Sequence, residues 1–229
     1  MKTVVIIPAL NEEQAVGKVI QGLPPNIAIE IVVCDNGSTD RTAQVAAAAG
    51  ATVISVPKRG YGNACLAGIA YFQAKNDNNM PDIVVFLDAD FSDDPTDITR
   101  LIAAIVSNEA DMVIGSRVTG NAARGALMPQ QRFGNWLATT LIHLIYKVRF
   151  TDLGPFRAIR WQTLLALDMR DTTYGWTVEM QVKAVKQGWR TAEIPVSYRP
   201  RIGVSKVSGT LRGTVLAGYK ILTTIFKLM

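Results

Sequence analysis

The chain has a single histidine and two cysteines among its 229 residues. A His-based triad and a multi-histidine zinc site are thereby excluded. His143 stands in Leu141-Ile142-His143-Leu144-Ile145, where a packed or interfacial role is expected. Cys34 and Cys65 do not have a metal-ligand spacing, and Cys34 lies in an apolar run that suits a reduced, packed thiol. Neither a Walker P-loop nor a Gly-x-Gly-x-x-Gly fingerprint is present, which removes two common phosphate cradles. No uncharged apolar run reaches the length of about 18 residues that spans a bilayer. The apolar start from Met1 to Ile7 halts at Pro8, too soon for a secretory signal. The expected location is the cytoplasm or a membrane surface facing it.

What the chain does contain is an ordinary globular balance, 48% hydrophobic and 19% charged. Its length fits one large domain, or one domain with an appendage. The net charge of +5 is uneven. Residues 1–156 hold 12 basic and 15 acidic side chains, whereas residues 157–229 hold 12 and 4. That basic last third suits phosphate groups or an anionic membrane surface. No nucleic-acid-binding motif accompanies it, so nucleic acid is not an expected partner.

Short apolar, largely β-branched runs at 3–7, 29–34, 52–56, 83–87 and 111–115 alternate with helix-like segments at 12–22, 40–50, 61–75 and 95–108. The alternation predicts an α/β fold with a mostly parallel, Rossmann-like sheet flanked by helices. Asp40 and Gly50 bracket one helix as caps, and Asp94-Pro95 opens another. The stretch 118–133 lacks periodicity and reads as a mobile loop over the site. Residues 209–229 can be drawn as an amphipathic helix, with Arg212, Lys220 and Lys227 within about 80° of one another. It could lie on a membrane or pack on the domain.

Residues 83–92, Ile-Val-Val-Phe-Leu-Asp88-Ala89-Asp90-Phe91-Ser92, end a buried-strand pattern in two acids spaced i, i+2. Ligands of open α/β sheets bind at the carboxyl ends of strands. Hard cations such as Mg²⁺ and Mn²⁺ prefer oxygen ligands shared with substrate phosphates. The triplet therefore suggests a metal-assisted phosphate or nucleotide-sugar site, against a reading as two solvated loop acids. Three further motifs follow predicted strands: Pro8-Ala9-Leu10-Asn11-Glu12-Glu13, Cys34-Asp35-Asn36-Gly37-Ser38-Thr39-Asp40 and Lys58-Arg59-Gly60-Tyr61-Gly62-Asn63-Ala64. All four can gather on one sheet edge. An ionised Asp35 can accept hydrogen bonds from a base N–H, and Lys58 and Arg59 can meet phosphate.

In order and spacing these residues closely resemble the family 2 glycosyltransferases of GT-A fold, over about residues 3–206. Within that family the segments Gly115-Ser116-Arg117, Asp152-Leu153-Gly154-Pro155-Phe156-Arg157, Glu179 and Arg199 to Lys206 look most like polyprenol-phosphate (dolichol-phosphate) mannosyl- and glucosyltransferases. The resemblance implies a UDP- or GDP-sugar donor, Mg²⁺ or Mn²⁺, and inversion at the anomeric carbon. It implies a nucleotide-binding half at about 1–117, an acceptor half at about 118–206 and a helical appendage at 207–229. Carried over position by position, Pro8, Ala9, Asn11, Glu12, Asp35, Asn36, Lys58, Gly60, Asn63, Asp88 and Ala89 would surround the nucleotide sugar. Asp90 and Asp88 would face the metal. Arg117 would join Asp90 in catalysis, and Arg157, Arg199, Arg201, Ser205 and Lys206 would hold phosphates. Two departures stand out: Ser92 where the family often has Gln, and Gly154 where it often has Ser.

Two acceptor chemistries remain open on the residues. A polyprenyl phosphate is already ionised near pH 7 and needs no strong base, but two phosphate-bearing substrates must be brought together. A saccharide hydroxyl needs a base within hydrogen-bond reach, with Asp152 and Glu179 as candidates. Trp176 and Tyr174 could stack on a sugar or pack in the core. A third possibility, from another class, is a non-catalytic module that binds a nucleotide sugar or an anionic membrane.

Overall fold

The computed structural model describes residues 1–27, 30–75, 80–203 and 211–229. Its sheet has seven strands: β1 (Thr3–Ala9), β2 (Glu30–Asp35), β3 (Thr52–Ser55), β4 (Ile83–Phe86), β5 (Met112–Ala122), β6 (Arg157–Arg160) and β7 (Thr191–Tyr198). Their spatial order is β3-β2-β1-β4-β6-β5-β7. The pairs β1–β2, β1–β4, β2–β3 and β5–β7 are parallel, while β6 runs antiparallel between β4 and β5. The mostly parallel expectation holds, with this one inversion.

Helices α1 (Val16–Gly22), α2 (Thr42–Ala48) and α4 (Ile98–Val106) cover one face, and α3 (Tyr61–Gln73), α7 (Trp176–Lys186) and much of α5 (Pro129–Tyr146) and α8 (Leu211–Lys227) cover the other. Short α6 (Trp161–Ala166) follows β6. Alternate strand residues feed the two cores. Val4, Ile6 and Cys34 go to one, Val5, Ile7 and Val33 to the other. Burial on both faces is why the strands read as continuous apolar runs. Both cysteines are buried free thiols, and burial pushes Cys34 up to about 12.

Helix starts follow the sequence signals. Asp40 Oδ1 accepts from Thr42 N at 2.9 Å, and Asp94 Oδ1 accepts from Thr96 N at 3.1 Å before a 3₁₀ turn that runs into α4. The stretch 118–133 departs from expectation. Its first part extends β5 to Ala122 and its last part opens α5 at Pro129. The strand end is exposed and polar, so it lacks the apolar alternation that marks a strand.

The chain order switches direction at β1, since β2 lies on one side and β4 on the other. The crevice at the carboxyl ends of β1 and β4 is where such sheets bind ligands.

Candidate active site

The site grows from that crevice. β1 ends in Pro8-Ala9 and β4 leads into Asp88-Ala89-Asp90. Asn36, at the end of β2, locks the neighbouring loops. Its backbone N–H donates to Ala9 O at 2.8 Å, and its side chain donates to Val56 O and Lys58 O and accepts from Gly60 N. Gly60 has φ +137, and a Cβ there would lie 2.2 Å from Thr172 O. Only glycine suits that left-handed close approach. Asn11, also at positive φ, accepts from Thr39 N at 2.8 Å and so ties the first loop to the second.

These loops enclose a cavity of about 270 Å³ lined by Pro8, Ala9, Glu12, Asn36, Gly60, Asp88, Ala89, Asp90 and Arg201, with Arg59, Tyr61 and Tyr174. Seven of the eleven nucleotide-sugar candidates therefore share one wall. The other four stand beside it. Asp35 accepts from Ser38 N, Asn63 donates to Arg59 O, Asn11 bridges loops, and the Lys58 side chain is exposed.

The two acids are held differently. Asp90 is 8% exposed. Its Oδ1 accepts from Ser92 N at 2.9 Å and from Ser92 Oγ at 2.6 Å, so Ser92 braces the acid. Its Oδ2 lies 3.3 Å from Arg201 Nη1, and Arg201 Nη2 also pairs with Glu12. Asp88 accepts from Tyr61 Oη at 3.0 Å. Burial, reinforced by the Asp90 carboxylate, raises Asp88 to about 7. Phe91, immediately after Asp90, has φ +60, and the Arg199 guanidinium lies over its ring at 4.3 Å while pairing with Asp94 at 2.8 Å. Such backbone outliers persist where surroundings over-determine them.

Among the described residues no three metal-ligating side chains gather into a ready-made cage. Asp88 and Asp90 offer carboxylate oxygens of the type a hard cation uses when it shares its shell with substrate phosphates, and a side-chain cation, Arg201, bridges Asp90 and Glu12.

A second cavity of about 400 Å³ adjoins the first and shares Asp88, Asp90, Tyr61, Tyr174 and Arg201 with it. Arg117, Tyr198 and Gln131 complete its polar wall, and α8 contributes Ala217 and Ile221. It opens into a largely apolar trough of about 540 Å³ between α5 and α8, lined by Phe133, Leu137, Tyr219 and Leu222 among others.

Several sequence candidates take other places. Asp152 is fully buried, and its carboxylate is held by Arg117 through N (2.8 Å), Nε (2.8 Å) and Nη2 (2.7 Å). It anchors Arg117 and is not a free base. Glu179 accepts from Arg170 N at 3.0 Å and Asp171 N at 2.7 Å and pairs with Lys183 at 2.7 Å, so it fixes the turn before α7. Arg157 is 1% exposed and donates to Gly154 O, Thr177 O and Gln181 Oε1. Burial lowers its pKa to about 10, and no phosphate can reach it without unpacking the core. Trp176 packs against Phe86 in the core, whereas Tyr174 lines both cavities. Ser205 and Lys206 lie outside the described residues.

Sequence reasoning missed Tyr198, the Tyr61 hydroxyl and Asp93. Asp93 is 1% exposed, and among the described residues neither carboxylate oxygen has a hydrogen-bond partner. Burial drives its pKa well above the ordinary carboxylate value. Its position three residues after Asp90 was the available signal.

Fold and site together define a nucleotide-sugar-dependent glycosyltransferase of GT-A architecture. Residues 4–166 match the family model "Glycosyl transferase family 2", and the chain belongs to that family. An uncharacterized glycosyltransferase of Mycobacterium tuberculosis is 37% identical over 215 residues, 93% of each chain. The undecaprenyl-phosphate mannosyltransferase of Micrococcus luteus is 28% identical over 228 residues, 93% of this chain and 90% of that one. In fold, the chain is similar to glucosyl-3-phosphoglycerate synthase of M. tuberculosis in complex with Mn²⁺, UDP and phosphoglyceric acid. The TM-score is 0.78 at 22% identity, covering 99% of this chain and 78% of the other.

Proposed function

We propose that this enzyme transfers a hexose, with inversion, from a UDP- or GDP-sugar to a polyprenyl phosphate at a membrane surface, using Mg²⁺ or Mn²⁺ held by Asp90 and Asp88. The observation that carries the acceptor reading is the apolar trough between α5 and α8, which opens beside the two acids through a cavity walled by Arg117 and Arg201. Such a shape suits a ligand with a charged head and a long apolar tail. Phe133, Trp136, Val215, Tyr219 and Phe226 are exposed on the same two helices, as a membrane-facing surface requires. The M. luteus relative named for an undecaprenyl-phosphate acceptor agrees with this reading. Among the described residues no helix is long and apolar enough to cross a membrane.

The chemistry follows from the site's charges. Leaving-group departure puts negative charge on a diphosphate, and a divalent cation supplies its neutralisation when bound. Arg201 and Arg117 line the cavity beside the acids, where they would add positive charge. Arg117 is fixed by Asp152 and stacked near Tyr198 at 5.2 Å, so it is preorganised and loses little freedom on engaging a phosphate. Tyr61 orients the Asp88 carboxylate. The in-line attack needs no strong base when the acceptor is a phosphate oxygen. The two sequence candidates for a base, Asp152 and Glu179, are already committed to structural partners.

The trough is tested with Phe133→Ser/Tyr219→Ser, two exposed wall positions whose loss leaves the core untouched. The expected result is a KM for polyprenyl phosphate raised about ten-fold or more, from lost apolar burial, with UDP binding unchanged. An unchanged acceptor KM would remove the trough from the account.

A further inference from the structure

Arg201 is a cation seated among the carboxylates assigned to the metal. Its Nη1 lies 3.3 Å from Asp90 Oδ2 and its Nη2 pairs with Glu12 Oε1. The backbone keeps it there. Ile202 N donates to Asp90 O at 3.0 Å and Arg199 N to Ser92 O at 2.8 Å, so residues 199–202 run bonded alongside the acid loop. Gly203 follows at φ +85, a backbone state that marks a turn at the end of this segment. Arg201 is not saturated, however. Its Nε is buried, and among the described residues it has no hydrogen-bond partner. A guanidinium with one N–H bonded to Glu12, an ion pair to Asp90 and its Nε–H idle is poised for an acceptor richer in charge, and a diphosphate is one.

We infer that Arg201 is an exchangeable placeholder. In the nucleotide-free enzyme it neutralises Glu12 and Asp90 and holds a divalent cation off Asp90. When the nucleotide diphosphate arrives, Arg201 transfers to the phosphate oxygens and vacates Asp90, which then accepts the cation. Metal and nucleotide therefore bind as a coupled pair, and each raises the affinity of the other through the movement of one side chain. The inference rests on the assignment of the cation to Asp90 made above. Charge repulsion alone would behave differently. A fixed Arg201 would weaken the cation equally with and without nucleotide, and would add no coupling.

The experiment is an electron paramagnetic resonance titration of free Mn²⁺ against the full chain, alone and with saturating UDP. The ratio of the two affinities is the coupling factor. Arg201→Gln is expected to bind Mn²⁺ alone about five-fold tighter or more, and to lose coupling by a similar factor. A coupling factor unchanged in Arg201→Gln overturns the inference, whether or not Mn²⁺ alone binds tighter. Should Arg201→Gln fail to melt cooperatively, Arg201→Lys carries the same test. It keeps the charge, but one ammonium cannot span two carboxylates as the guanidinium fork does. Reduced coupling in that variant supports the exchange, and unchanged coupling overturns it. Wild-type protein that binds no Mn²⁺ even with UDP would overturn the metal assignment itself, a result distinct from loss of coupling.

Discussion

Asp88 and Asp93 show how burial sets chemistry at single residues. Asp88, raised to about 7 by burial and by Asp90, is protonated below that pH and ionised above it. A cation at Asp88 must displace that proton. Mn²⁺ affinity measured with UDP is therefore expected to fall about ten-fold per pH unit below 7 and to level off above 8. A flat profile from pH 6 to 8 would mean that Asp88 does not meet the cation. Asp93 makes a different prediction. Its folded-state pKa lies above the unfolded value of 3.8, so the folded chain holds a proton that the unfolded chain releases once pH exceeds that value. This group's contribution is thus most favourable at low pH and is lost as pH rises. Asp93→Asn is expected to raise Tm at pH 8 and to change it little near pH 4. A variant less stable than wild type at both values would contradict the burial argument.

At the scale of elements, the site depends on close packing behind it. Gly68 of α3 lies against β1 and β2, where a Cβ would come 2.6 Å from Ile6 Cγ2 and 3.0 Å from Cys34 Sγ. Gly68→Ala must push α3 off the sheet or force those side chains aside. The expected cost is about 1–3 kcal/mol by denaturant unfolding, and Tyr61 at the start of α3 would carry the shift to Asp88. Strands β1 to β5 and the helices between them were legible because apolar runs and caps are local signals. β7, parallel to β5, was not, and neither was β6. It spans only Arg157–Arg160, with an arginine at each end, and its place between β4 and β5 is set by long-range pairing. The start of α5 was hidden in the same way by Gln130, Gln131, Arg132 and Gly134, which give no apolar period. At the site, the carboxyl ends of strands located the acids and the Asn36 loop. The sequence could not show that Asp152 is held by Arg117, its partner 35 residues away, or that Glu179 is tied to a nearby turn. Residue type marks an ionisable group, but only the fold shows which partner already occupies it.

At the scale of the whole molecule, the uneven charge has a structural meaning that composition alone misreads. Many bases of the last third pair with acids of the first part. Arg190 and Arg160 meet Asp111 at 2.8 and 3.4 Å, Arg199 meets Asp94, and Arg201 meets Glu12 and Asp90. Lys220 of α8 pairs with Asp171 at 2.8 Å and so does not join a free cationic stripe, whereas Lys227 remains exposed. The C-terminal helix also packs through buried Ile225, whose carbonyl accepts from Tyr146 Oη at 2.9 Å. Much of the apparent basic surplus is thus internal stitching between the last third of the chain and the first part. Arg117 and Arg201 line the second cavity together with Asp88 and Asp90. The account stands or falls on whether these join a nucleotide sugar to a lipid phosphate. The direct measurement is a donor–acceptor matrix: UDP-glucose, UDP-GlcNAc and GDP-mannose, each with Mn²⁺ or Mg²⁺, with and without a polyprenyl phosphate, and with Asp90→Ala as the blank. Nucleoside diphosphate release and glycolipid mass are read together. The account predicts release with one donor only when the lipid is present, matched by an equal amount of hexosyl lipid and absent in the blank. Release that ignores the lipid would contradict the acceptor assignment, and no release from any pair, with UDP still bound, would leave a binding module in place of an enzyme.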